Sequence, residues 1–276
     1  MIDLSQLPPP SVVEQLDFEA VLAALRADVV ALDPELEPAL SLESDPIIKL
    51  LEVAAYRELI LRQRINDAAR AVMLPYAQGA DLDNLSALFG VERLDGEPDE
   101  SLRKRTQIAP EGTSVAGPTQ SYIYHALSAS PDVRDASVTS PDPGLVRVAL
   151  LSQSGTPGVD LITRVNAALS ADDARPLCDK VEVVPAEILA YTVRAMLMIE
   201  QGPEKTLVLQ NAQAACQAYV DRQFMLGRRI AESALHAALH QSGVVRVDLI
   251  EPGSDIVCAN HQAPRCDGIV LSDGNG

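Results

Sequence analysis

The chain has 276 residues and a formal net charge of −17, and 47% of its residues are hydrophobic while 22% are charged. This composition is typical of folded domains and excludes a chain that is disordered as a whole. Aromatic residues make up only 3%, which argues against pockets that bind sugars or nucleobases by stacking.

The negative charge is concentrated in the first third of the chain. Residues 1–100 contain 20 Asp and Glu against 7 Lys and Arg, a balance of −13, so that residues 101–276 carry only −4. An acidic surface repels phosphate backbones and anionic lipid headgroups. We therefore expect neither nucleic acid nor a membrane as a partner of this region. A basic protein partner and simple solubility both fit the charge.

The N-terminus is predicted to be an extended arm over residues 1–16, because Pro8, Pro9 and Pro10 favour polyproline II and forbid a helix. It shows no signal peptide, and no apolar run in the chain approaches the roughly 20 residues that span a bilayer. We expect the protein to be made and kept in the cytoplasm unless a larger particle carries it out. A first helix is predicted from Asp17 to Leu32, where apolar residues recur at helical spacing.

The strongest local pattern predicts a long helix from Pro46 to Leu74. Asp45 is a good N-cap, Pro46 suits the first turn, and neither Gly nor Pro interrupts the segment. Its first half is apolar on nearly every side, so it needs several neighbours, in this chain or in others. We favour other chains. The predicted partner interface consists of Ile47, Leu51, Ala55, Leu61 and Ile65.

The rest of the chain alternates helices and strands. Together with the helical bundle region over 1–94, this pattern predicts an α+β, multi-domain fold with a helical N-terminal region followed by two small α/β units. Gly, Pro and charged residues predict a linker around a short charged helix over 95–117. The two α/β units are predicted over 118–187 and 188–276, and the second is expected to end in an irregular tail from Glu251.

A weak internal repeat lies in this second part. The stretch HALSASPDVRDASVTS from His125 resembles AALHQSGVVRVDLIEP from Ala237, and Val133 then aligns with Val245 at an offset of 112 residues. Two copies of one helix–strand unit would give two domains of similar build. A chance match of a common unit explains the pattern equally well.

The sequence contains none of the usual catalytic motifs. GxxxxGK[ST], GxGxxG, GxSxG and HExxH are all absent, and we predict no catalytic residue and no cofactor. The best candidate for a metal site is Cys258, His261 and Cys266, with Asp255 or Asp267 as a fourth ligand. Structural zinc sites usually contain CxxC pairs, which are missing here. The alternatives to a structural protein are a small metal-dependent hydrolase and an acidic, soluble adaptor.

Four stretches in one order resemble the baseplate assembly protein J family, and together they extend over nearly the whole chain. They are MIDLSQLPPPSVVEQLDFEAVL, MLPYAQGADLDNLSALFGVERL, ILAYTVRAMLMIEQGP and SALHAALHQSGVVRVDLIEP. Members of this family are wedge proteins in the baseplates of contractile-tailed phages and of related particles such as R-type pyocins. The resemblance therefore implies a structural protein that catalyses no reaction.

The resemblance also implies partners. Proteins similar to this one pair with a second copy of themselves and with other baseplate wedge proteins through a bundle of N-terminal helices. The wedges close a ring around the hub beneath the sheath, where sheath-proximal and hub-proximal baseplate proteins are neighbours. The helix from Pro46 to Leu74 would then belong to the bundle, and the chain from about residue 110 to the ring contacts. Assembly would take place in the host cytoplasm, and the finished protein would lie in the tail baseplate.

Overall fold

A computed structural model of the chain describes residues 4, 7–8, 10–42, 44–112, 119–171, 179–200 and 204–274. The chain divides into two units, Met1–Glu92 and Arg93–Gly276. The first unit is helical and the second contains small sheets covered by helices, which confirms the predicted α+β class. Within the described ranges, no helix combines the length and apolar character that a bilayer crossing requires.

The first unit is built around one long helix. Its elements, in chain order, are α1 (Phe18–Leu32), a 3₁₀ turn (Pro34–Leu36), α2 (Glu37–Leu40), α3 (Pro46–Ala71) and α4 (Gly79–Ala87). Helix α3 begins as predicted, because the Asp45 carboxylate accepts a hydrogen bond from the Ile47 N–H at 2.8 Å. It has 26 residues, so it is about 39 Å long.

A further helix, α5 (Asp99–Gly112), lies within the range that composition marked as a linker. Leu102 and Ile108 of α5 are buried, and Arg105 pairs with Glu97 at 2.7 Å, with side chains only 5% and 1% exposed. Because Arg105 is buried with a charge partner and two apolar side chains are buried beside it, α5 packs within the second unit.

In the first sheet of the second unit, one helix precedes the β-hairpin in the sequence and another helix follows it. Its elements are α6 (Thr119–Ser128), β1 (Val133–Asp142), β2 (Leu145–Ser152), α7 (Val159–Leu169) and β3 (Lys180–Pro185). The strand order is β1-β2-β3, with β1 antiparallel and β3 parallel to the central β2. Val148 and Leu150 of β2 pack with Tyr122 of α6 and with Val165 and Leu169 of α7.

The second sheet repeats this arrangement around a longer central strand. Its elements are β4 (Glu187–Ile199), α8 (Lys205–Gln223), β5 (Arg229–Ile230), α9 (Glu232–Leu239), β6 (Val244–Glu251), β7 (Ile256–Val257) and β8 (Gln262–Asp273). The order is β6-β4-β8, with β6 antiparallel and β8 parallel to β4, and β5 pairs with β7 separately. Val193 and Leu197 pack with Cys216 of α8 and with Leu235 and Leu239 of α9.

The predicted irregular tail after Glu251 is wrong, because β8 pairs with β4 from Glu187 to Leu197. Pro264 and Gly268 made this segment resemble a loop. Proline is tolerated because β8 is an edge strand. Gly268 follows a register shift opposite Tyr191 and Thr192, after which Ile269 packs into the core.

The two sheets share one helix–turn–strand unit. In the first sheet, the Val133 N–H donates to Ser130 O, and the Gln153 N–H donates to Asp132 O. The second sheet has the equivalent two bonds, from the Val244 N–H to Gln241 O and from the Glu200 N–H to Gly243 O. Directly after this unit, each edge strand contains an extra residue at its first register shift, which is Arg134 in β1 and Val245 in β6. The weak repeat is therefore structural, but its offset is 111 residues and not 112, since Val133 corresponds to Val244.

The extra residue of β1 joins the two sheets. Arg134 donates from Nε to Phe224 O and from Nη2 to Asp221 O, both at 2.7 Å, and its guanidinium lies 4.9 Å from the Phe224 ring centroid. The neighbouring Asp135 accepts from the Leu226 N–H at 3.0 Å and from Lys104 Nζ at 2.7 Å. A cation at the end of a helix stabilises its last carbonyls, so these contacts fix the end of α8 on the first sheet.

The buried Glu97–Arg105 pair gives a stability prediction. Replacing Glu97 by Gln should lower the free energy of unfolding by about 3–5 kcal/mol, because Arg105 loses its charge partner inside the protein. The matched control is Glu182→Gln, which removes the carboxylate of the exposed Arg147–Glu182 pair and should cost about 1 kcal/mol or less. Urea unfolding followed by circular dichroism measures both variants. Equal losses would contradict the structural role of the buried pair.

Candidate protein–protein interface

Helix α3 packs one face against the rest of the first unit, with α1 as a main neighbour. Ile48 and Ala55 are fully buried on this inner face. Asn66 is also buried there, and its amide donates to Glu14 O at 2.9 Å and accepts from the Glu14 N–H at 3.0 Å. One side-chain amide thus satisfies both backbone groups of a residue in the arm and holds the arm on α3.

The opposite face of α3 is apolar and exposed. Leu50, Val53 and Leu61 are 71%, 61% and 64% exposed. Residues of this face recur at intervals of three, four and seven, which is the spacing of a coiled-coil seam. We call this set the α3 stripe: Leu50, Val53, Arg57, Ile60, Leu61 and Arg64. Single exposed leucines are ordinary, but a row of large apolar side chains on one helix face is typical of a protein interaction site.

The structure divides the five predicted interface residues between the two faces. Ala55 is fully buried within the unit, while Ile47 and Leu51 are half-buried. Leu61 and Ile65 are exposed, and Leu61 belongs to the α3 stripe. The surface predicted from the sequence is corrected accordingly, because the chain itself already covers Ala55.

The predicted interface did not include Leu50, Val53 and Ile60, which the structure shows to be exposed. The signal that could have found them is the seven-residue interval that relates Val53 to Ile60 and Leu50 to Arg57. The helix is apolar on both faces, however, so hydrophobicity alone does not show which face is inside. The contacts of α3 with α1 and with the arm identify the inner face, and the contact of Asn66 with the arm joins residues 52 positions apart.

A second exposed apolar surface lies on the sheet β6-β4-β8. The helices α8 and α9 cover one face of this sheet, and the other face exposes Met196 and Val270. Ion pairs flank them, with Arg194 and Glu251 at 3.8 Å on neighbouring strands. An apolar centre with a polar rim is the usual composition of a protein interface.

The candidate metal residues Cys258, His261 and Cys266 are not brought together. Cys258 is buried, Cys266 Sγ donates to Gly268 O at 3.3 Å, and the exposed His261 lies 3.5 Å from a carboxylate oxygen of Glu187. Among the residues that the structure describes, no three Cys, His, Asp or Glu side chains are grouped as metal ligands.

The two carboxylates considered as a fourth ligand have other partners. Asp255 accepts from the Glu232 N–H and from the Arg229 guanidinium, and these bonds hold its pKa below the ordinary value. Asp267 pairs with Arg265 at 2.8 Å. Asp255 therefore organises a loop of the second sheet, whereas Asp267 forms an exposed pair within strand β8.

Three thiols lie around Tyr191 in the second sheet. Burial raises the pKa of Cys216 to about 11 and also raises the pKa values of Cys258 and Cys266. The Tyr191 hydroxyl is buried and has no hydrogen-bond partner in the described part of the chain. A thiol with a raised pKa stays protonated at neutral pH and is a weak nucleophile. These cysteines therefore act as small core residues.

Comparison with known proteins gives one consistent family. Three domain models match consecutive parts of the chain: the Baseplate J-like N-terminal domain over residues 43–99, the Baseplate J-like central domain over 114–185, and the Baseplate J-like protein C-terminal domain over 191–272. Baseplate protein J of Escherichia phage P2 is similar over almost its whole length. It is 44% identical over 288 aligned residues, which cover 96% of this chain and 95% of the phage P2 protein.

The buried thiols predict a pattern of chemical labelling. Replacing Cys178 by Ser leaves Cys216, Cys258 and Cys266 as the thiols of the chain. Ellman's reagent at pH 8 should react slowly with these thiols in the folded protein and fast in urea, because burial suppresses the thiolate form. The raised pKa of Cys216 also means that the stability from its neutral thiol is complete below about pH 8.5 and is lost as the pH rises towards about 11. Fast labelling of the folded chain at pH 8 would contradict the assignment of these thiols to the protein interior.

The two faces of α3 predict different costs for the same new side chain. Ala55→Gln should destabilise the chain by about 1–3 kcal/mol, because no space is left on the inner face. Leu61→Gln should change stability by about 0.5 kcal/mol or less, because its side chain is in water. Thermal unfolding of the chain alone, followed by circular dichroism, measures both. A larger loss for Leu61→Gln would reverse the assignment of the faces.

Proposed function

Because the chain belongs to the baseplate J-like family, we infer that it is a structural component of a phage-tail baseplate and not an enzyme. The α3 stripe is the observation that supports a mechanism for this structural role. A baseplate protein acts by holding its neighbours in place, and an exposed row of large apolar side chains is the feature such a role requires.

Within the baseplate, we propose that the chain is a wedge component. Its α3 stripe enters a helical bundle with a second copy of the chain and with another wedge protein. The wedges close a ring around the hub beneath the sheath and contact sheath-proximal and hub-proximal baseplate proteins. Assembly takes place in the host cytoplasm, and the protein then remains in the tail baseplate.

The energetics of the α3 stripe support a stable bundle. Full burial of a Leu, Ile or Val side chain contributes about 1.5–3 kcal/mol. Leu50, Val53, Ile60 and Leu61 are exposed in the chain by itself, so most of this free energy becomes available only when another chain covers them. The total must exceed the loss of translational and rotational freedom on association, which favours an extended contact along the helix over a small one.

The second unit would supply the contacts between wedges. The exposed face of the sheet β6-β4-β8, with Met196 and Val270, is the surface that we assign to these contacts. The bonds of Arg134 and Asp135 to the end of α8 tie this sheet to the first one. A force applied to one sheet is therefore transmitted to the other through directional hydrogen bonds as well as through apolar packing.

The first experiment is to co-express the chain with the neighbouring tail genes and to measure the mass of the purified assembly by light scattering, with the chain alone as the control. A stable complex that contains two copies of this chain and a wedge partner is the expected result. A clean monomer that ignores those proteins would overturn the proposal. Metal analysis of that monomer would then separate a metal-dependent hydrolase from an acidic adaptor.

A single substitution in the α3 stripe should prevent assembly. Leu61→Asp places a charge in the middle of the proposed bundle, so the complex should be lost while the circular dichroism spectrum of the chain stays the same. The matched control is Leu88→Asp, because Leu88 is 78% exposed in the same unit but lies outside the stripe. Normal assembly of the Leu61→Asp chain would refute the bundle assignment.

A further inference from the structure

We propose that Arg57 and Arg64 select the bundle partner, which must be a helix with two carboxylate side chains seven residues apart in an apolar stripe. This inference rests on the proposed function, because it concerns the same surface. It adds the chemistry of the partner, which the apolar residues of the stripe do not determine.

The two arginines occupy equivalent positions in the seam. Leu50, Arg57 and Arg64 follow one another at intervals of seven, so each arginine stands where a coiled coil usually places an apolar residue. Seven residues correspond to two helical turns, or about 10.5 Å. The guanidinium groups are therefore centred between the apolar residues of the stripe and are not at its margin.

Neither arginine has a carboxylate partner within the chain as described. Two other cations of α3 do: Lys49 pairs with Glu52 at 3.0 Å, and Arg62 pairs with Glu58 at 2.7 Å. Arg57 and Arg64 are exposed, and no described hydrogen bond or ion pair involves them. Their charge is thus balanced by water alone as long as the α3 stripe stays uncovered.

Covering the stripe changes that balance. A neighbour that buries Leu50, Val53 and Leu61 also removes water from the two guanidinium groups between them. An unpaired charge in such a seam is strongly unfavourable, whereas a guanidinium bound by a carboxylate through two hydrogen bonds is compensated. A wholly apolar partner helix is therefore excluded, and a partner with carboxylates at the matching interval fits.

The surroundings of the stripe also exclude a polyanion as the partner. Residues 1–100 carry a balance of −13, so a phosphate chain long enough to cover α3 would be repelled over most of its length. A partner helix with two carboxylates in an otherwise apolar stripe places negative charge only where the two arginines lie. No helix in the described part of this chain contains two carboxylates seven residues apart, so a second copy of the chain does not supply this partner helix. The occupant is therefore a helix of another baseplate protein, and cross-links to a second copy in the experiment below would contradict this.

The direct test is zero-length cross-linking of the co-expressed complex. In a chain carrying Arg57→Lys and Arg64→Lys, the new amines lie where the guanidinium groups were, and a carbodiimide joins amines to carboxylates that touch them. We expect cross-links to two carboxylates seven residues apart on one partner helix, and mass spectrometry identifies the chain that supplies them. The matched control is Arg70→Lys, which lies on another side of α3 and should not link to that helix.

A second measurement compares the partner's affinity for variant chains. Arg57→Leu with Arg64→Leu should weaken binding at least about tenfold, because the partner's carboxylates become buried without a cation. If the partner stripe were wholly apolar, the same variant would bind more tightly. Tighter binding, or an intact complex without the expected cross-links, would overturn this inference and leave the bundle in place. Failure of Leu61→Asp to disrupt assembly would instead overturn the proposed function.

Discussion

The structure of the first unit follows from one constraint: α3 is apolar on opposite faces, and the unit covers only one of them. Ile48 and Ala55 find partners inside the chain, whereas Leu50 and Leu61 do not. Helices are stabilised mainly by burying an apolar face, so a helix with two such faces needs two sets of neighbours. The unit therefore leaves one apolar face of α3 uncovered and available for association.

The second unit meets a different requirement, because several of its charged groups find partners inside it. Glu97 and Arg105 form a buried ion pair, and Arg134 and Asp135 bind backbone groups at the end of α8. Such contacts are costly to leave unmade and depend on geometry, so they define one arrangement of the two sheets. These polar contacts therefore add directional constraints to the apolar packing of the two sheets.

Local signals in the sequence predicted much of this fold, and non-local contacts account for what they missed. The start of α3 depends on Asp45 and Pro46, which act within one helical turn. The strand β8 depends instead on β4, whose residues are about 75 positions away, so Pro264 and Gly268 gave a misleading local pattern. The inner face of α3 likewise depends on an arm that contacts it through Asn66. The metal candidate failed for a related reason, since closeness in sequence did not bring His261 to the thiols.

The charges in the α3 stripe also bear on how an exposed apolar helix avoids wrong partners. A seam made only of leucine would pair with itself or with any apolar surface, and it would aggregate before assembly. Arg57 and Arg64 keep water in the centre of the seam, so every partner that lacks carboxylates must bury two unpaired charges. The same feature that weakens association with most proteins favours one kind of helix in one register. For the bundle proposed above, discrimination of this kind matters as well as the strength of each contact.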